Sequence, residues 1–436
     1  MQKNFSKLIL FLCLSVFTFF LSGCGQTIVI EVPDVYKTPK SPDAENAKAD
    51  VDVYFDATIS MKGYTTLAAG NVYRTLPDIL DAIGTSMGKA SFFKFGKDVT
   101  PIDNREHKKF SSQEPYIELV TAVHNVVDYA NPDHLTVIVT DLFESEADWS
   151  NITKKIREKY FANHKAVAVI GVKNSFNGEI FDVGLNAAKF NYNSYDDPNR
   201  FRPFYLLILG DEAPVKNFME RFKDVQTLNN TTGYLLLSEN LTEKMIDFSK
   251  MSLEEIEMEN FFAETKLDIA SRGVREFGID SFSSPAMFTV NFDYKEPLGA
   301  CQLNLDEMTQ DVRIFALADE ESGEWQELEE NDVKIEVAPV EGEQNKFAAK
   351  YSMTPDKSLE RGRINFVHAA LVPTAKGYQL PQWVRNWNMA NVDVAPGNFD
   401  GSKTINLIHV LNALKDAVFD TTRPAMIEFN FVVDAR

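Results

Sequence analysis

Val51-Asp52-Val53-Tyr54-Phe55-Asp56-Ala57-Thr58-Ile59-Ser60-Met61-Lys62-Gly63 is an apolar run that ends in three oxygen-bearing side chains spaced two residues apart. The run reads as a buried strand, with Asp56, Thr58 and Ser60 in the loop that leaves it. Carboxylate and hydroxyl oxygens gathered at one strand end suit a hard divalent cation, Mg²⁺ first, with Mn²⁺ and Ca²⁺ as alternatives. Neutral hydroxyl ligands leave the ion net positive charge, so it still accepts an acidic ligand. Gly63 gives the chain a place to bend sharply. The same residues also suit a capped turn in which Asp56 and Ser60 bond backbone amides and no ion is held.

Outward from this stretch, apolar strand candidates recur at residues 51–55, 90–95, 135–140, 166–172, 204–209 and 234–237. Their near-continuous hydrophobicity predicts burial on both faces. Helical periods lie between them. Tyr73, Leu76, Leu80 and Ile83 share one face, Tyr116, Leu119, Val120, Val123 and Val127 another, and residues 151–161 and 213–222 supply further crossovers. Alternating strand and helix predict a doubly wound, mostly parallel α/β sheet over residues 49–240. In such sheets ligand sites gather at the carboxyl ends of strands. Asp56 follows the first strand, and Asp141 follows the strand at 135–140. A segment at 176–199, rich in Asn, Asp and Tyr, reads as a hairpin over the sheet edge.

The Asp56-x-Thr58-x-Ser60-Met61-x-Gly63 pattern resembles the first metal motif of von Willebrand factor A domains, Asp-x-Ser-x-Ser continued as Met-x-Gly, with Thr58 keeping the first hydroxyl. The resemblance implies a metal-ion-dependent adhesion site, in which Asp141 resembles the third motif and contributes indirectly. The family continues that motif with Gly; this chain has Leu142-Phe143-Glu144. The family's middle ligand is a Thr on a loop before a helix. Ser112, just ahead of Gln113-Glu114-Pro115, is the favoured counterpart and Ser111 the next, although either also suits a helix N-cap. Thr121 has the right side chain but falls inside the periodic run 116–127, where a helical surface position is expected. The family also implies a protein partner that offers an acidic residue to the metal.

At the amino terminus, Lys3 and Lys7 precede an apolar run at 8–20 that closes on Leu21-Ser22-Gly23-Cys24. The run is short for a membrane span, and small residues before Cys24 fit a cleavage site. The segment resembles a bacterial lipoprotein signal. That implies removal of residues 1–23, lipidation of Cys24, membrane anchoring through that lipid and an extracytoplasmic location. Residues 24–48, with Pro33, Pro39 and Pro42, read as a tether that holds one short strand candidate at 27–32. Of three cysteines only Cys301 remains beyond Cys24, so no disulfide staples the mature fold. Loss of residues 1–23 takes the formal charge from −20 to −22. A surface this acidic disfavours nucleic acid and anionic lipid.

Beyond residue 240 a polar connecting segment, 241–280, is expected, followed at 281–436 by a mainly β, immunoglobulin-like sandwich with one helix at 404–418 and a closing strand at 427–433. The acidic stretch 319–332 lacks the EF-hand ligand order and reads as a hairpin. Trp383 and Trp387 read as aromatic packing across two domains. No zincin or phosphate-loop motif occurs. Asp56-x-Thr58 lacks the second Asp that a haloacid-dehalogenase phosphatase needs, which leaves a metal-dependent hydrolase as a minor alternative. Binding of a protein partner is the expected function, with a structural scaffold of a cell-envelope assembly as its main alternative.

Overall fold

The computed structural model describes residues 29–33, 47–68, 71–103, 105–142, 149–183, 188–225, 232–239, 245–246, 248–264, 266–270, 274–320, 322–390, 399–419 and 425–436. The signal segment and Cys24 lie outside these residues.

Seven strands form the first sheet: β1 (Val51–Asp56), β2 (Ala90–Phe95), β3 (Val99–Ile102), β4 (Leu135–Thr140), β5 (Ala166–Asn174), β6 (Arg202–Gly210) and β7 (Thr232–Leu237). Their order is β7-β5-β6-β4-β1-β2-β3. β1 pairs in parallel with β2 and β4, whereas the remaining ladders are antiparallel. The sheet is therefore mixed and parallel only at its centre, not mostly parallel as expected. The cause is local. Among the described residues no crossover helix separates β5 from β6; the chain reverses through a hairpin of Asn177–Val183 and Ala188–Asn193, so β6 runs antiparallel to β5 and slots between it and β4.

Strands β1, β4 and β6 are buried at every position, as their continuous hydrophobicity requires. Helices α1 (Leu76–Met87) and α4 (Glu212–Lys223) cover one face, α1 packing on β1 and α4 on β5 and β6, and Leu80, Ile83, Phe218 and Phe222 join one apolar cluster with Val53 and Phe55. Helices α2 (Val123–Tyr129) and α3 (Trp149–Lys159) cover the other through Val126, Val127, Ile152 and Ile156. α2 is shorter than its periodic run predicts. Residues 116–121 instead hook onto the strand end, where Glu118 N–H donates to the Ala57 carbonyl (3.1 Å) and Ile59 N–H to the Glu118 carbonyl (3.0 Å). Those two backbone bonds replace the helical ones.

The second layer is a β-sandwich. One sheet runs β8 (Ile256–Glu259), β11 (Ala286–Asp293), β15 (Lys346–Met353), β14 (Val333–Pro339); the other runs β9 (Phe261–Ala263), β10 (Arg275–Ile279), β17 (Ile427–Asp434), β16 (Ile364–Pro373), β12 (Met308–Asp319), β13 (Glu324–Glu327). Phe288 and Tyr351 of the first meet Phe429 and Phe431 of the second edge to face. β8, β9 and β10 fall in the stretch expected to be a connecting segment, so the sandwich begins near Ile256 rather than at residue 281. The signal of all three is weak because the strands are short, and in β8 and β9 only one residue each is buried. Between β16 and β17 lie the short helix α5 (Gln382–Trp387) and α6 (Leu407–Phe419), which packs on α3. A two-residue strand, Val29–Ile30, pairs in parallel with Asp268–Ile269.

Candidate metal centre

β1 and β4 are adjacent and parallel, so Asp56 and Asp141 leave the same end of the sheet side by side. Asp56 is fully buried, and Thr58, Ser60, Thr121, Thr140 and Asp141 are buried with it. Asp56 Oδ1 accepts from the Thr58 N–H (3.0 Å) and the Thr58 hydroxyl (2.6 Å). Its Oδ2 accepts from the Thr140 hydroxyl at 3.1 Å. The hydroxyls of Thr58 and Ser60 are 3.0 Å apart, and Thr121 donates to Thr58 Oγ1 at 3.4 Å. A hydroxyl carries one hydrogen and two lone pairs. Since Thr58 gives its hydrogen to Asp56, Ser60 donates to Thr58, and the Thr58 oxygen becomes the hub of the cluster.

Thr121, not Ser112, is the residue that meets this hub. Ser112 is exposed and its hydroxyl turns back to the Lys109 carbonyl at 2.8 Å; Ser111 does the same with Lys108 at 2.7 Å. Both end a short helical turn at Glu106–Ser111 rather than beginning a helix. Thr121 sits two residues ahead of α2, on a loop and not on a helix, because the Glu118 backbone bonds hold 116–121 against Ala57 and Ile59. Sequence periodicity missed this, since apolar spacing carries no trace of a competing backbone pairing. Thr140, one residue before Asp141 at the strand end, joins the cluster through its hydroxyl on Asp56 Oδ2.

Burial, and then the charge of Asp141, push the Asp56 carboxyl up to about 7, against the lowering effect of the Thr58 and Thr140 hydrogen bonds. The donors brought together are oxygens of two carboxylates and several hydroxyls. That set fits a hard divalent cation, and a positive charge there relieves the repulsion between the two buried carboxylates.

The surroundings fix the loop. Gly63 is needed for close approach, since a Cβ there would lie 2.4 Å from the Phe176 ring. The Asn174 side-chain carbonyl accepts from Val72 N–H (2.8 Å), and its amide donates to the carbonyl oxygens of Tyr64 (3.3 Å) and Ser175 (2.9 Å), which ties the chain beyond the loop to the end of β5. Leu142, where the A-domain pattern has Gly, is buried and adopts φ 62°, and its N–H donates to Thr140 Oγ1 at 3.2 Å. A cleft of about 500 Å³ lined by Lys376, Arg385, Asn412 and Lys415 shares no residue with this cluster.

No family model, curated protein or solved structure matches the chain.

Proposed function

We propose that the chain is an exported, lipid-anchored binding protein whose von Willebrand factor A-like layer holds a divalent cation, Mg²⁺ foremost, between Asp56, Thr58, Ser60, Thr121 and Asp141. The ion completes its coordination with an acidic residue of a protein partner. The observation that carries this reading is the meeting of two buried carboxylates and the Thr58, Ser60 and Thr121 hydroxyls at the carboxyl ends of adjacent parallel strands. The order β4-β1-β2-β3, with β3 antiparallel at the edge, supports the A-like assignment, and the two facing sheets support an immunoglobulin-like sandwich as the second module. Cys24 is the lipid site by its resemblance to the lipoprotein signal.

Calorimetry with Mg²⁺, Mn²⁺ and Ca²⁺ tests the site. Saturable binding is expected in the native protein, absent in Asp56→Ala, weakened in Thr121→Ala and unchanged in Ser112→Ala. One observation favours the scaffold alternative: the Asp56 oxygens already have amide and hydroxyl partners. No binding of any of the three ions by the native protein would decide for that alternative.

A further inference from the structure

We infer that the outer face of the six-stranded sheet is the side of the molecule held next to the membrane, an inference that rests on the lipid-anchored reading above. Val29–Ile30 is docked there. It pairs with Asp268–Ile269, the Ile30 carbonyl accepts from Ala270 N–H at 2.9 Å, and Trp325 Nε1 donates to the Glu31 carbonyl at 2.8 Å. Ile30 is only 3 % exposed and shares an apolar cluster with Phe315, Leu317, Ile364, Phe366 and Val432 on that face. The chain is therefore fixed to the sandwich at Val29, five residues after Cys24. Five residues span at most about 18 Å even when fully extended.

Without this docking the first residue held by the fold, among the described residues, would be Ala47, whose carbonyl accepts from Asn217 Nδ2. Its separation from Cys24 would allow a reach of about 80 Å. Two residues of strand thus shorten the leash about fourfold, and the domain that comes last in the sequence is the one tied nearest the lipid. The charge of the site makes it a leash and not an adhesive patch. Glu31 and Asp268 lie in or beside the paired strands and Glu324 precedes Trp325, so exposed acids border the strand and repel anionic headgroups over roughly a Debye length of 8–10 Å.

The full lipidated protein in vesicles, with a dye donor on the protein and an acceptor on lipid headgroups, tests the arrangement. Cys301 is buried, so Glu324→Cys beside the strand and Asp103→Cys beyond the edge strand β3 label selectively. Transfer is expected to be greater from position 324 than from 103, and to fall at least twofold at 324 when Ile30→Asp releases the strand. Equal transfer from the two positions, or no response to Ile30→Asp, overturns the inference. The mass of the amino-terminal peptide separates the two levels: an unacylated Cys24 removes the lipoprotein reading and this inference with it, whereas an acylated Cys24 with equal transfer removes this inference alone.

Discussion

Leu142 holds a backbone conformation that L-residues adopt at a cost of about 1–2 kcal/mol, and it does so beside the carboxylate that completes the candidate site. Its side chain is buried and belongs to the same apolar cluster as Ile152, Ile156 and Val127, and that burial offsets the strain. Leu142→Ala should therefore cost about 2–4 kcal/mol through the cavity it leaves. Leu142→Gly should be the more stable of the two variants by about 1 kcal/mol, the reverse of the usual order, because glycine relieves the positive φ. Urea midpoints of the pair decide it; Ala equal to or above Gly would mean the strain is not there. Asp56 offers a second test at this scale. Its folded-state pKa lies above the ordinary value near 3.8, at about 7, so between those limits the folded state holds the extra proton. In chelator, the stability this group contributes is fully present below pH 3.8 and is lost as pH rises through 7, with Asp56→Asn flattening that slope. A stability that rises over the same interval because of Asp56 would contradict the assignment.

Among the elements, the strands of the first sheet and the loop after β1 were legible because continuous burial leaves continuous apolar runs. So was the hairpin at 176–199; that it stands in place of a crossover helix and so reverses β6 was not, since the alternation of strand and helix around it points to parallel strands. Nor was Thr121, whose loop is set by backbone pairing to Ala57 and Ile59. The aromatic pair of α5 was read as packing between the layers, and its contacts bear that out. Trp383 Nε1 donates to the Tyr234 carbonyl at 3.0 Å, and a Cβ at Gly233 would lie 2.3 Å from the Trp383 ring. Gly233→Ala should then cost about 1–3 kcal/mol by forcing the ring or β7 to move. In a Trp383→Ala background the same change should cost less than about 0.5 kcal/mol, which gives a coupling energy of the size seen for residues in contact. Additive costs would show that the clash is absorbed elsewhere.

Across the whole molecule, one apolar cluster runs from α2 and α3 through Leu411 and Leu414 of α6 to Phe288, Phe429 and Phe431 inside the sandwich. The face of the α/β sheet that α2 and α3 cover is thus continuous with the sandwich core, and neither layer can expose its share without exposing apolar surface of the other. Unfolding should for that reason be a single event despite the two sheet systems. Trp149 in α3 and Trp325 in the sandwich report on the two layers, and their fluorescence should change together with far-UV circular dichroism. A cation bound only to the folded site stabilises by about 2.7 kcal/mol at a hundred times its Kd. Because the layers are coupled, Mg²⁺ held at the end of β1 should raise the melting of the distant sandwich as much as that of its own sheet. Melting curves of two triple variants, Trp325→Phe/Trp383→Phe/Trp387→Phe and Trp149→Phe/Trp383→Phe/Trp387→Phe, recorded with and without Mg²⁺, separate the two reporters. A Mg²⁺ shift confined to the variant that keeps Trp149 would show that the shared core does not transmit the stabilisation, and that the metal-bearing layer unfolds on its own.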